Sequence, residues 1–118
     1  TLRPLLRPDA GAALYRQAAH WVAATQPPDA IIMDRKPFIA FYSGRRFVIL
    51  PRVLPGELAS AAQRAGARVV VLDRRESGDR PDLFPLLYAQ PPAGLDVLQD
   101  FDAGPAGRLR VLGVRDRG

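Results

Sequence analysis

The chain has 118 residues, a formal charge of +5 and no cysteine, and 47% of its residues are hydrophobic. This length and apolar content suit one compact domain, and the lack of cysteine excludes disulfide bonds and thiolate metal sites. No apolar run approaches the roughly 18–20 residues that span a bilayer. The basic residues do not form the runs typical of nucleic-acid-binding arms, so we expect no nucleic-acid partner.

The first part of the chain predicts a linker followed by a helix. Residues 1–9 contain two prolines and two arginines, a composition typical of a linker. Asp9 is placed to cap a helix over residues 10–26, which ends where prolines follow. One face of this helix carries the predicted core positions Leu14, Ala18, Trp21, Val22 and Thr25. We therefore divide the chain into a linker, 1–9, and a single α/β domain, 10–118.

Strands and helices alternate through the rest of the chain. Three short apolar segments predict strands at 30–33, 46–51 and 68–73, of which the first suits a strand buried on both faces and the third is the clearest buried strand. Helices are predicted at 37–45 and 57–65, and a short helix bent at its proline at 83–88. Partial alternation at 95–101 and 108–114 predicts an antiparallel hairpin.

This order of elements predicts the fold class. Alternation of buried strands and helices is typical of α/β proteins in which helices cover a parallel sheet. We expect a three-layer, Rossmann-like fold with a mainly parallel sheet of about five strands. The closing hairpin would add its strands to this sheet in antiparallel orientation.

The stretch DRKPFIAFYSGRRFVILP, residues 34–51, places charges on both sides of a small aromatic segment. Asp34 is predicted to cap the short helix, Pro37 to start it and Gly44 to end it. The aromatic residues have the i, i+3, i+4 spacing of a helix face turned to the core. These aromatic residues are Phe38, Phe41 and Tyr42.

Four basic residues of this stretch remain for the surface: Arg35, Lys36, Arg45 and Arg46. Guanidinium groups bind phosphate through paired hydrogen bonds, so these residues form a basic corner that is chemically able to contact an anion, a phosphate or a membrane surface. A solvated corner with nothing bound is the alternative. The pattern alone does not distinguish the two.

The sequence contains no complete catalytic set. Ligands of α/β sheets bind at the carboxyl ends of the strands, where this chain carries residues 34–36, 51–52 and 73–75. The first strand is not followed by the glycine-rich turn of a dinucleotide site. His20 is the only histidine, and no serine lies in a nucleophile elbow. We expect no catalytic residue, no metal site and no cofactor.

Three segments carry a resemblance to a known family: YRQAAHWV, PPDAIIMDRKPFIAFYSGRRFVILP and AGARVVVLDRR. The span from Tyr15 to Val114 resembles the soluble C-terminal domain that follows the transmembrane bundle of bacterial integral-membrane glycosyltransferases. These enzymes belong to the dolichyl-phosphate-mannose protein mannosyltransferase superfamily, which includes the lipid A aminoarabinose transferases.

The resemblance implies a parent enzyme in the cell membrane that transfers sugar from a polyprenyl-phosphate donor. The domain would lie on the extracytoplasmic side, and residues 1–9 would be the exit from a preceding membrane helix. The catalytic acid of the family lies near its first transmembrane helices, so no catalytic residue is implied here. Implied partners are the membrane portion of the parent chain, anionic lipid head groups and polyprenyl-phosphate-linked sugar.

Two alternatives remain open at this point. The first is a free-standing α/β domain that binds a small anion or phosphorylated ligand at residues 34–36 and 45–46. The second is a protein-interaction module that associates with itself through the outer strand of the hairpin.

Overall fold

The computed structural model describes residues 10–74 and 85–115. The predicted linker, the capping Asp9 and residues 75–84 lie outside the described residues. The described helices and strands are α1 (Ala10–Thr25), β1 (Ile31–Asp34), α2 (Phe38–Ser43), β2 (Arg46–Ile49), α3 (Leu58–Arg64), β3 (Val69–Asp73), β4 (Leu95–Asp102) and β5 (Arg108–Val114). Single turns of 3-10 helix lie at Pro55–Glu57, at residues 85–87 and at Gly104–Ala106.

The five strands form one sheet in the order β2-β1-β3-β5-β4. Strand β1 pairs in parallel with both β2 and β3. Strand β5 pairs antiparallel with β3 on one side and with β4 on the other. The predicted α/β class, the five strands and the closing hairpin are confirmed, and the sheet is parallel at one end and antiparallel at the other.

The central strand β3 explains why its sequence is apolar at successive positions. Val69 and Val71 lie in a core with residues of α1 and α2, whereas Val70 and Leu72 lie in a second core with residues of α3. All four side chains are almost completely buried. A strand covered on both faces has no solvent-facing side, so the hydrophobic pattern does not alternate.

Helix α1 buries most of its predicted stripe. Leu14, Ala18 and Val22 are buried, as expected from their helical spacing. Trp21 is half-buried and Thr25 is exposed, and the Thr25 hydroxyl donates a hydrogen bond to the Trp21 carbonyl over 2.8 Å. The apolar stripe therefore ends one turn earlier than predicted.

Helix α2 buries a different face from the predicted one. Its buried residues are Ile39, Ala40 and Ser43, whereas Phe41 is 74% exposed and Tyr42 is 64% exposed. The prediction that these two rings turn inward is wrong, although Phe38 is half-buried. A helix of six residues offers two faces with helical spacing, and the one with smaller side chains packs against α1 and the sheet.

Candidate functional site

The structure separates the two halves of the predicted basic corner. Arg46 pairs with Ile31 at the start of β1, whereas Asp34 at the end of β1 pairs with Ile49. Because a strand rises about 3.3 Å per residue, the two ends of β1 are roughly 10 Å apart. Arg45 and Arg46 therefore lie at the amino end of the sheet, and residues 34–36 at the carboxyl end. Contact of either pair with an anion stays a prediction.

Arg45 has a structural role at the end of α1. Its guanidinium donates hydrogen bonds to the carbonyl of Gln26 at 2.6 Å, to that of Ala23 at 3.1 Å and to that of Ser43. The last carbonyl groups of a helix carry partial negative charge and have no partner within the helix. The half-buried Arg45 satisfies them and ties the α2–β2 connection to α1.

The two ends of α2 differ in how they are capped. Pro37 occupies the N-cap position and no side chain caps this end, so the predicted capping by Asp34 is wrong. The Asp34 carboxylate instead accepts a hydrogen bond of 2.7 Å from the backbone N–H of Arg35. Gly44 ends the helix as predicted: its φ is 70°, and its N–H donates to the carbonyl of Phe41.

Three exposed basic residues lie at the carboxyl ends of the three parallel strands. Lys36 follows β1, Arg52 follows β2 and Arg74 follows β3. Parallel strands bring their carboxyl ends to one edge of the sheet, which is where α/β proteins bind ligands. We refer to residues 34–36, 51–52 and 73–74 as the carboxyl-end edge.

The described segments that follow β1 and β3 pack on opposite faces of the sheet. Strand β1 leads to α2 on the α1 side, whereas after β3 the buried Leu86 and Leu87 pack in the core that contains α3. Ligands of α/β sheets bind where two neighbouring strands send their connections to opposite faces. At the carboxyl end of β3 the hydroxyl of Tyr15 donates a hydrogen bond to the carboxylate of Asp73.

Aromatic rings continue from Tyr15 over the surface of α2. The ring of Tyr15 lies 5.6 Å from that of Phe38, and the Phe38 ring lies 4.5 Å from that of Tyr42. Tyr42 contacts Phe41 edge-on at 5.2 Å. The chain of rings connects the half-buried Tyr15 to the two exposed rings of α2, so an apolar aromatic surface adjoins the basic carboxyl-end edge.

The carboxyl-end edge has the chemistry of a binding surface. Its lysine and guanidinium groups attract an anion and can hold it by hydrogen bonds, and they outnumber the two carboxylates of Asp34 and Asp73. Among the residues that the structure describes, no group of three or more histidine, aspartate or glutamate side chains is placed to hold a metal ion. The expectation that no catalytic residue lies in this chain stays a prediction.

A groove at the opposite, amino end of the sheet was missed by sequence reasoning. It has a volume of about 690 Å³ and is lined by residues that include Gln26, Gln63 and Arg68. On its wall Arg115 donates two hydrogen bonds to Asp96, at 2.6 and 2.8 Å, which lowers the pKa of Asp96 and raises that of Arg115. The lining comes from distant parts of the chain, so no local motif marks it.

A buried arginine in the hairpin was also missed. Arg110 is 6% exposed, and its guanidinium donates to both carboxylate oxygens of Asp100 and to the carbonyls of Leu86 and Ala89. Arg110 lies opposite Asp100 in the register of β4 and β5. Arginines at alternate positions of RLRV, opposite a strand that contains three aspartates, are the sequence signal for such pairs.

Comparisons with protein-family models, with curated proteins and with solved structures find no match to this chain. Among the described residues, no helix is both long and apolar enough to cross a membrane.

Proposed function

We propose that this chain is a non-catalytic domain of a bacterial membrane glycosyltransferase that uses a polyprenyl-phosphate donor. Its carboxyl-end edge faces the extracytoplasmic surface of the cell membrane and contacts the phosphate of a lipid head group or of the donor. The partner along the chain is the membrane portion of the parent enzyme. In this proposal the sheet and its helices belong to the three-layer, Rossmann-like folds.

One observation carries the proposal: exposed Lys36, Arg52 and Arg74 converge at the carboxyl ends of three parallel strands. A basic residue near an anionic membrane surface contributes about 1 kcal/mol to binding. The exposed rings of Phe41 and Tyr42 add an apolar contact of the kind that aromatic side chains make at membrane interfaces. Basic and aromatic groups side by side fit the boundary between head groups and acyl chains.

The experiment is co-sedimentation of the 118-residue chain with lipid vesicles. Three compositions are compared: phosphatidylcholine alone, phosphatidylcholine with phosphatidylglycerol, and phosphatidylcholine with a polyprenyl phosphate. We expect binding only to the two anionic compositions. The double variant Lys36→Ala/Arg52→Ala should bind about 10- to 30-fold more weakly, because it loses two surface contacts of about 1 kcal/mol each.

The matched control is Arg64→Ala/Arg68→Ala, which removes the same charge from exposed positions elsewhere on the molecule. Equal weakening by both double variants would show a general charge effect and contradict the proposal. Binding of a soluble sugar phosphate, with no binding to any vesicle, would instead support a free-standing anion-binding domain. The parent assignment has its own check, since the coding sequence upstream of Thr1 should encode several transmembrane segments.

A further inference from the structure

Strand β2 is an outer strand whose free side can be defined from its hydrogen bonds. In the described part of the chain no strand lies beyond it. The N–H of Arg46 donates to Ala30 over 3.1 Å and that of Leu50 donates to Asp34 over 2.8 Å, so both residues point towards β1. Backbone groups alternate in direction along a strand. The backbone groups of Phe47 and Ile49 therefore point away from the sheet.

The same two residues have exposed apolar side chains. Phe47 is 39% exposed and Ile49 is 62% exposed. Phe47 lies beside Ile32 in the register, and Ile32 belongs to the core under α1 and α2, so both side chains lie on that face. Outer strands of natural proteins usually carry charges or bulges that prevent further pairing. At these two positions β2 has neither.

The other outer strand, β4, is protected in the usual way. A bulge interrupts its pairing between Val97 and Gln99. Three of its residues are aspartates that pair with arginines of β5 and of the segment after it: Asp96, Asp100 and Asp102. Bulges and charges disfavour the addition of another strand. The outer strand of the hairpin is therefore a poorer site for self-association than β2.

We propose that β2 pairs antiparallel with β2 of a second copy of this chain, an interaction that goes beyond the proposed function. Phe47 lies opposite Ile49 of the second copy, and Val48 lies on the two-fold axis. Each of the two Phe47–Ile49 pairs exchanges two backbone hydrogen bonds, which gives four in all. The same patch serves both copies, as two-fold symmetry requires.

The partner of β2 is a second copy of the chain, because β2 is complementary to itself. The register that pairs Phe47 with Ile49 uses every outward-pointing backbone group of β2. It also places Arg46 opposite Leu50 of the second copy, so no two like charges face each other directly. On the shared face an aromatic ring then meets a β-branched side chain, one of the favourable cross-strand combinations.

The area available indicates a weak dimer. Helix α2 contacts β1 and β2, so its exposed rings lie on the side of the sheet where β2 is the outer strand. An aromatic side chain buries about 150–250 Å², so the exposed fractions of Phe41, Tyr42 and Phe47 offer roughly 270–440 Å² in each copy. Interfaces below about 1,200 Å² in total are characteristic of weak, transient association. The dimer should therefore depend on concentration.

A cysteine on the two-fold axis tests the register. Facing residues between hydrogen-bonded pairs of antiparallel strands have Cα atoms about 4.5 Å apart, a separation that a disulfide spans. The chain has no cysteine of its own. We expect Val48→Cys to form a disulfide-linked dimer on mild oxidation, seen on a non-reducing gel. Val97→Cys, the control on β4, should remain monomeric.

Sedimentation velocity tests the association without a cross-link. The wild-type sedimentation coefficient should rise between about 10 μM and about 1 mM, the range of a weak interface. Phe47→Lys should abolish this rise, because it places a charge on the paired face. Val97→Lys introduces the same charge at a position of equal exposure, 40% against 39%, and should leave the rise unchanged. Circular dichroism checks that each variant is folded.

Three results would overturn the proposal. The first is a wild-type chain that stays monomeric over the whole concentration range. The second is equal loss of association in Phe47→Lys and Val97→Lys, which would show an effect of charge alone. The third is cross-linking of Val97→Cys as readily as Val48→Cys, which would place the contact at β4 or make it non-specific.

Discussion

Gly44 and Gly94 have the same kind of backbone conformation in different surroundings. Their φ angles are 70° and 92°, a region that side chains rarely adopt. A Cβ atom at Gly44 would meet nothing within 4 Å, whereas one at Gly94 would lie 2.9 Å from the Cβ of Ala59 on α3. Two glycines with the same backbone conformation therefore differ in how closely their neighbours approach, and no local sequence pattern shows this difference.

We expect Gly44→Ala to lower the free energy of unfolding by about 1 kcal/mol, since its only cost is the left-handed backbone. Gly94→Ala carries the same cost and an added clash with Ala59, so about 2–4 kcal/mol is expected. Urea denaturation at equilibrium measures both values. Equal losses in the two variants would contradict the close approach of the turn at residue 94 to α3.

Individual arginines also differ in their roles. Arg45 bonds to backbone carbonyls at the end of α1, Arg110 is buried in the hairpin, and Arg52 is exposed at the carboxyl-end edge. The sequence shows three charged residues of the same type, because local chemistry does not reveal which carbonyl or carboxylate a long side chain reaches. Only tertiary contacts distinguish the arginines with a structural role from an exposed arginine such as Arg52.

At the scale of elements, the hairpin holds residues 85–89 against the sheet through Arg110. The guanidinium links Asp100 on β4 to the carbonyls of Leu86 and Ala89. A buried charge with all these partners acts as a bridge between the hairpin and a segment with little regular structure of its own. Leu86 and Leu87 are buried in consequence and complete the core beside α3.

We expect Arg110→Met to lower the free energy of unfolding by about 2–4 kcal/mol, because it removes the donor to two carbonyls and leaves the partly buried carboxylate of Asp100 with Arg108 as its partner. The control is Arg115→Met, which breaks another two-bond pair with an aspartate, in this case at the surface. An exposed pair contributes little, so that variant should unfold almost as the wild type does. Thermal and urea denaturation of both variants would show the difference. If both variants lost the same stability, the burial of Arg110 would not be the cause.

Helix α2 shows why short elements are harder to interpret than long ones. Its existence and its end at Gly44 follow from composition and from the conformational freedom of glycine. Its orientation does not, because six residues give two faces of similar spacing. The exposed Phe41 and Tyr42 follow from how closely the small residues of α2 approach α1, which is a property of the packed pair.

At the scale of the whole molecule, the sheet presents two different kinds of edge. Its carboxyl-end edge carries side chains with positive charge, whereas the outer side of β2 carries apolar side chains and backbone groups that point away from β1. The first suits an anionic group and the second suits another strand. Because β2 would pair antiparallel with its copy, a dimer formed through β2 would place the two carboxyl-end edges at opposite ends of one continuous sheet.

The sequence by itself determined the class of fold, most element positions and the closing hairpin. These features depend on hydrophobic runs, on alternation and on proline and glycine, all of which act over a few residues. Only the tertiary structure decided the strand order, which follows from how the chain crosses the sheet. The parallel pairing of β1 with β2 places Arg45 and Arg46 at one end of β1 and residues 34–36 at the other, because parallel strands run in the same direction and the helix between them returns the chain to the opposite end.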